Sequence, residues 1–287
     1  MGLQSGMTAR KPVAQGCDAG EVRWNPANVG RGPRGDGPPT SRRTNYDGEA
    51  SSSRGRTGGS DRAGSARAGT PFGGDDTGFV PPDLGTLKCE SSVTKNAAKL
   101  TLAVSLCHIK AADAGVKGKT FDEEMCEDAA RGKYDAANLK LTCPNCVDPK
   151  AIGDNVQSML DTAANGGIYC DTTSGTPFGG DDSGDVPPSK AAEKCQNLTT
   201  KQLALLVGTV SKCHNKLAAQ ALKGKPFDEE GCENAAVSKF NAFTAKLTNC
   251  PSCLKPLLSS LGQAVADGVD AGLGTEYCQS PSGAFLN

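Results

Sequence analysis

The chain reads as an all-α protein: two tandem disulfide-stapled three-helix units joined by a Gly/Pro linker and preceded by a disordered N-terminal tail. Three observations predict this. First, Cys89, Cys107, Cys126, Cys143, Cys146 and Cys170 recur as Cys195, Cys213, Cys232, Cys250, Cys253 and Cys278. The spacing drifts by one residue before the Cys-x-x-Cys pair and by one more before the last cysteine. Second, the apolar residues between these cysteines fall at three- and four-residue intervals, the period of a helix with one buried face. Third, residues 1–69 are Gly, Arg, Ser and Pro with almost no periodic apolar positions, a composition that cannot build a core.

In chain order, the tail (1–69) carries ten arginines, one lysine and six acids, whereas the remainder carries nineteen lysines and the single Arg131 against twenty-six acids. A net charge of −1 therefore hides a basic head and an acidic body, and a nucleic-acid binder is not indicated. Arg34-Gly35-Asp36 spells a cell-attachment tripeptide, a chance match in an Arg/Gly-rich tract. A leader follows at 70–87, with Thr70-Pro71-Phe72-Gly73-Gly74-Asp75-Asp76 at its start. It recurs in the linker 171–193 as Thr176-Pro177-Phe178-Gly179-Gly180-Asp181-Asp182. Glycine pairs and prolines predict no regular element in either copy.

The first unit spans 88–170 and the second 194–278, with a C-terminal tail at 279–287. The stripe Cys89, Val93, Ala97, Leu100, Val104, Cys107 predicts the first helix, matched by Cys195, Leu203, Leu206, Val210 and Cys213. Leu102, Leu106 and Ile109 add an apolar face in the first unit only, a candidate partner patch. Thr120 and Glu123 have capping-box spacing before the second helix, and Asp228 takes the cap in the other copy. Asp122, Glu123 and Glu124 suit the positive end of that helix, a structural role. Asp148 with Pro149 predicts the start of the third helix. Ser282-Gly283-Ala284-Phe285 echoes the start of the linker, as though another unit would begin there.

Several motifs invite a chemical reading. Asp76-Thr77-Gly78 and Asp182-Ser183-Gly184 resemble aspartic-protease signatures, but the helical surroundings do not suit that β fold. Gly-Gly-Asp-Asp resembles half of a diguanylate cyclase signature without its αβ domain. Asp75 and Asp76 alone are too few ligands for calcium, so a solvated turn is expected. Cys143-Pro144-Asn145-Cys146 and Cys250-Pro251-Ser252-Cys253 lack the strands of a thioredoxin site and the histidine of a haem attachment site. A zinc site would need a second such pair in the same unit. His108 and His214 are the only histidines and the candidates for a metal ligand. Each adjoins a cysteine pointing about 100° away, which predicts a place toward the rim and a structural role, with no catalytic residue, metal or cofactor expected.

Helices running up, down and up place three cysteines at each end of a unit. Cα separations in a bridge seldom exceed about 7 Å, so Cys107–Cys126 is the preferred first bridge. Cys89 to Cys143 or Cys146 is the second. The third closes only if the tail to Cys170 folds back; otherwise two thiols per unit stay free.

The run Cys107 to Lys110, Lys117 to Glu127 and Cys143 to Cys146, with its second copy, resembles uncharacterised bacterial cysteine-rich repeat proteins. That resemblance covers about residues 70–280 and implies an array architecture with no named activity. Elicitins and saposins are other six-cysteine helical units, with different spacings. The paired cysteines predict an oxidising location: secreted, periplasmic or cell-surface. Residues 1–25 contain no signal-peptide-like apolar run, which predicts an atypical or misplaced start. Asn197-Leu198-Thr199 is a glycosylation sequon. The function expected is non-enzymatic: binding, with an unknown protein or surface ligand as partner, or spacing. The alternatives are a thiol-based metal or redox protein using the Cys-x-x-Cys pairs, and a carrier of a lipid or small apolar ligand.

Overall fold

The structure is a computed structural model, and it describes residues 69–172, 175–280 and 282–286. The tail with Cys17 and Arg34-Gly35-Asp36 lies outside the described residues. The chain is mostly helical, as the apolar period predicts. In the first half α1 spans Leu84–Val116, α2 Glu123–Asn138 and α3 Pro149–Met159. A π-helical turn, Leu160–Ala164, and the short α4, Asn165–Ile168, complete it. The second half repeats the order with α5 (Lys190–Ala221), α6 (Glu229–Thr244), α7 (Leu258–Gly272) and a 3₁₀ turn, Leu273–Thr275. No described helix is long and apolar enough to cross a membrane.

Local chemistry sets the helix starts. Asp83 and Ser189 cap α1 and α5, and Asp148 caps α3 ahead of Pro149. At α2 the cap is Asp122, whose carboxylate accepts from the Met125 amide; the Thr120–Glu123 box does not form. Asp228 plays the same part at α6. Glu123 is thereby released from capping and turns inward. The sequon falls within α5, where Asn197 accepts a hydrogen bond from the Tyr169 hydroxyl.

The leader and linker are not irregular. Each folds as a two-stranded antiparallel hairpin: β1 (Pro71–Gly73) with β2 (Asp76–Phe79), and β3 (Thr176–Gly179) with β4 (Asp182–Val186). The glycine pairs make this possible. Gly74 and Gly180 stand at φ of +65° and +61° in the two turns, where glycine alone is unstrained.

The hairpins do not pack on the helices that follow them. The β3–β4 hairpin folds back onto the first half, with Phe178 edge-on to Tyr169 at 4.9 Å. The β1–β2 hairpin reaches the second half, with Phe72 edge-on to Tyr277 at 4.9 Å. The Phe79 amide donates to the Tyr277 carbonyl, and the Asp185 amide to the Tyr169 carbonyl. The N-terminal hairpin thus occupies, beside Tyr277, the position that the linker hairpin occupies beside Tyr169.

All twelve cysteines from Cys89 onward are in six disulfides. Cys89–Cys143, Cys107–Cys126 and their counterparts Cys195–Cys250 and Cys213–Cys232 close within a half. The remaining four cysteines neither pair within a unit nor stay free. Cys146 bridges to Cys278 and Cys170 to Cys253, linking the halves twice. Three cysteines at one end cannot pair completely within a unit; the halves pack α1 against α5, and each supplies the other's missing partner. This set of bridges belongs to an oxidising environment.

The core lies on the inner faces of α1 and α5: Val93, Leu100 and Val104 in one cluster, Leu206 and Val210 in the other. Between α3 and α7, floored by α1 and α5, runs an apolar cleft of about 250 Å³. The surplus patch is only partly covered: Leu102 and Ile109 are half-buried and Leu106 is exposed.

Candidate metal centres

His108 and His214 are not at the rim. They are 2% and 0% exposed, and each is surrounded by four carboxylates. Around Nε2 of His108 stand oxygens of Glu127 at 2.9 Å, Asp182 at 3.1 Å, and Glu123 and Asp161 at 3.6 Å. Around Nε2 of His214 stand Glu233 at 2.7 Å, Asp76 and Asp270 at 3.1 Å, and Glu229 at 3.4 Å. One oxygen from each of Glu127, Asp161 and Asp182 lies with the His108 nitrogen inside a span of 4.8 Å, as do oxygens of Asp76, Glu229 and Glu233 with His214.

Each ligand has a local reason for its place. On α1, Cys107 faces α2 while His108, about 100° further round, faces inward toward the hairpin. Cys126 and Glu127 are likewise consecutive on α2. The disulfide Cys107–Cys126 therefore fastens the two helices one residue before the two ligands, and Cys213–Cys232 does so for His214 and Glu233. Glu123 and Glu127, like Glu229 and Glu233, are four apart and share one helix face. The third carboxylate, Asp161 or Asp270, comes from the third helical segment, and the fourth, Asp182 or Asp76, from the swapped hairpin.

The hairpin is held by the residue after its ligand. Thr77 donates to the Asp270 carbonyl at 2.7 Å and accepts from the Gly274 amide at 2.7 Å. Ser183 donates to the Thr162 carbonyl and accepts from the Gly166 amide at 3.0 Å. The following glycines fit against the chain: a Cβ on Gly78 would come within 2.9 Å of the Tyr277 side chain, and one on Gly184 within 2.8 Å of the Tyr169 carbonyl. The Asp-Thr-Gly and Asp-Ser-Gly triplets are thus a ligand, an anchor and a close-packed turn, one per site, rather than a protease pair. Asp76 and Asp182 are buried, not solvated, with side chains 1% and 2% exposed.

The electrostatics show what the groups lack. An imidazole nitrogen can donate one hydrogen or offer one lone pair, so it cannot satisfy four convergent carboxylates. Nε2 of His108 has no hydrogen-bond partner, whereas Nε2 of His214 pairs with one oxygen of Asp270 at 3.1 Å. Inward oxygens of Glu123, Glu127, Asp161, Asp76, Glu229 and Glu233 have no hydrogen-bond partner. Burial lowers the basicity of both histidines, but the surrounding acids outweigh it and raise them to about 11 and about 12. Burial also pushes Glu123 and Glu229 up to about 10, helped by Asp182 and Glu127 in one site and by Glu233 and Asp76 in the other. Asp161 and Asp270 rise to about 6, again chiefly through burial. Without a cation, each cluster favours a protonated imidazole and a protonated Glu123 or Glu229 in a space that water barely reaches.

The geometry suits a cation. Two donors at right angles and about 2.1 Å from one ion are about 3.0 Å apart. The spread of 2.7–3.6 Å from each Nε2 brackets that value for all four oxygens. Each site therefore offers an imidazole and three carboxylates gathered within one span, Glu127, Asp161 and Asp182 at His108 and Asp76, Glu229 and Glu233 at His214, with Glu123 and Asp270 beside them. Four carboxylates suit a hard ion and the imidazole suits a first-row transition metal, a combination met by manganese or iron.

The other predicted chemistry has no place here. The Cys-x-x-Cys sulfurs are bridged to Cys89, Cys278, Cys195 and Cys170, leaving no thiolate pair for metal or redox work. Of the acids, the sequence reading singles out Asp75, Asp76, Asp122, Glu123, Glu124, Asp148, Asp182 and Asp228 and gives none of them a histidine partner. Glu127 and Asp161, with their counterparts Glu233 and Asp270, carry no role in that reading. One usable signal was present, the duplicated His108 and Glu123-x-x-x-Glu127 pattern. Compared with known protein families, curated proteins and solved structures, the chain matches none.

Proposed function

We propose that this is a secreted or cell-surface metal-binding protein that holds two first-row transition-metal ions, manganese or iron, one in each histidine–carboxylate cluster. The observation that carries the reading is the convergence of four carboxylate oxygens on one buried imidazole nitrogen, twice, with inward oxygens of six of the eight acids unpartnered. Buried carboxylates are ordinarily paired or coordinate a metal, and a single imidazolium leaves three of the four unmatched. Deep burial and disulfide fastening favour retention over rapid exchange. Metal would displace the cluster's protons, so loading is coupled to folding.

The test is elemental analysis of the oxidised full-length protein, with stripped protein titrated by Mn²⁺, Fe²⁺ and Zn²⁺ and followed by thermal melting. Two equivalents per chain are expected, falling to one in His108→Ala or His214→Ala and to none in the double variant. Protein that carries no metal and is not stabilised by any of the three ions would overturn the reading. A second reading, a small apolar ligand, is favoured by the cleft between α3 and α7. Its walls are Val156, Leu160, Val207, Leu261, Val265 and Val269, and it exceeds the ~150 Å³ apolar cavity known to hold benzene. Native mass spectrometry of the purified protein checks it: only the bare or metal-loaded mass would leave it without support.

A further inference from the structure

A groove of about 910 Å³ runs along α1 and α5 to the edge of α6. Five exposed lysines line it: Lys95 and Lys99 from α1, Lys212 and Lys216 from α5, and Lys239 from α6. No carboxylate lines it, although acids outnumber bases in the chain beyond residue 69. Among the described residues none of the five forms an ion pair with an acid. Like charges gathered without counter-charges repel one another, so the cluster lowers its energy when an anion enters.

We propose that this groove binds an acidic polysaccharide, a chain of uronate or sulfated sugars. Five separate point charges suit a ligand with repeated single anions. Arginine, which chelates phosphate bidentately, is absent from the groove. Its one aromatic ring, Phe240, is buried, so no platform exists on which nucleobases could stack. The side-chain amides of Gln202 and Gln220 supply donors and acceptors for sugar hydroxyls. Leu102, from the apolar surplus of the first half, forms part of the wall.

The test measures binding of the oxidised full-length chain to oligogalacturonate and to a sulfated oligosaccharide by calorimetry, across a salt series. Binding that weakens steeply with salt is expected. In the variant Lys95→Gln/Lys99→Gln/Lys212→Gln it should fall about 10-fold or more, and the salt slope should become shallower. A control, Lys110→Gln/Lys133→Gln/Lys246→Gln, removes three exposed lysines outside the groove and should bind as the parent does. Circular dichroism and melting check that both variants remain folded. The proposal is overturned if neither sugar binds at low salt, if both variants lose binding equally, or if the groove variant binds unchanged. Tighter binding of a thymidine oligonucleotide than of either sugar overturns it as well.

Discussion

The two halves reach the same cluster of one histidine and four carboxylates along different backbone paths. In the first, Asp161 sits in a π-helical turn that adds a residue before Tyr169; in the second, Asp270 sits in an unbroken α7. Gly153 and Gly262 are equivalent, since a Cβ on either would come within 2.6 Å of the ring of Tyr134 or Phe240. From these glycines to the aspartates the halves stay in step, and the π turn then takes up one residue before Tyr169 and Tyr277. Two residues gained after Cys253 and one lost at the turn appear in the sequence as a single shift. Aligning the final cysteines sets Val269 opposite Asp161 and hides the ligand pair. What the two halves share is the position of the carboxylate, not the local helix, and π turns of this kind often sit at functional sites.

Four outcomes would break or sharpen this comparison. The cross-half bridges should matter most, since Cys146–Cys278 spans 132 residues and Cys170–Cys253 spans 83. Replacing both cysteines of either bridge by serine should cost about 4–5 kcal/mol by loop entropy, against about 3 kcal/mol for Cys107–Cys126. Denaturant melts of the three double variants would give the order, and an equal loss in all three would show that the halves are not coupled through the bridges.

Next come the swapped ligands. Asp182→Asn should empty the His108 site and Asp76→Asn the His214 site, each lowering metal affinity at that site by about 100-fold or more. Stoichiometry combined with His108→Ala or His214→Ala backgrounds identifies the site lost. Loss from the half nearer in sequence would refute the swap.

A third contrast is Glu90 against Gln196, buried counterparts on α1 and α5. Burial, with a smaller push from Asp83, raises Glu90 to about 8. The folded chain therefore binds more protons than the unfolded chain between pH 4.5 and 8, and this contribution to stability is lost as pH rises through that window. Glu90→Gln copies the second half, where Gln196 donates to the Ile168 carbonyl at 2.9 Å. It should stabilise the protein by on the order of 4 kcal/mol at pH 8 and leave it unchanged near pH 4. Melting temperatures across pH would show parallel curves if Glu90 were not the cause.

The smallest effect belongs to the hairpin turns. At Gly74 an added Cβ would meet Glu230, and at Gly180 it would meet Glu124, both at positive φ. Alanine at either should cost about 1–2 kcal/mol and loosen metal at the site that the hairpin serves. Thermal melting with and without metal separates the two parts.

Much of the helical frame could be read in the residues. Cys89, Val93, Leu100 and Val104 repeat at helical spacing, and their burial follows from that period. Asp148 before Pro149 marks a helix start by local chemistry alone. The sites could not be read the same way. Glu123 looks like a capping residue, and Asp76 like a turn residue, because each has an ordinary local use.

The sequence by itself determined the duplicated six-cysteine units, the helices within them and the buried faces, all of which follow from short-range spacing. Tertiary structure decided that the leader and linker become crossed hairpins, that four cysteines bridge the halves, and that four carboxylates from three other segments meet at each histidine. Those outcomes depend on packing α1 against α5, which sets distances that no local pattern encodes. Nor does charge alone reveal the sites, since an acid on a helix is usually solvated. Only burial, which strips away water and leaves carboxylates without partners, turns ordinary acids into a place for a cation.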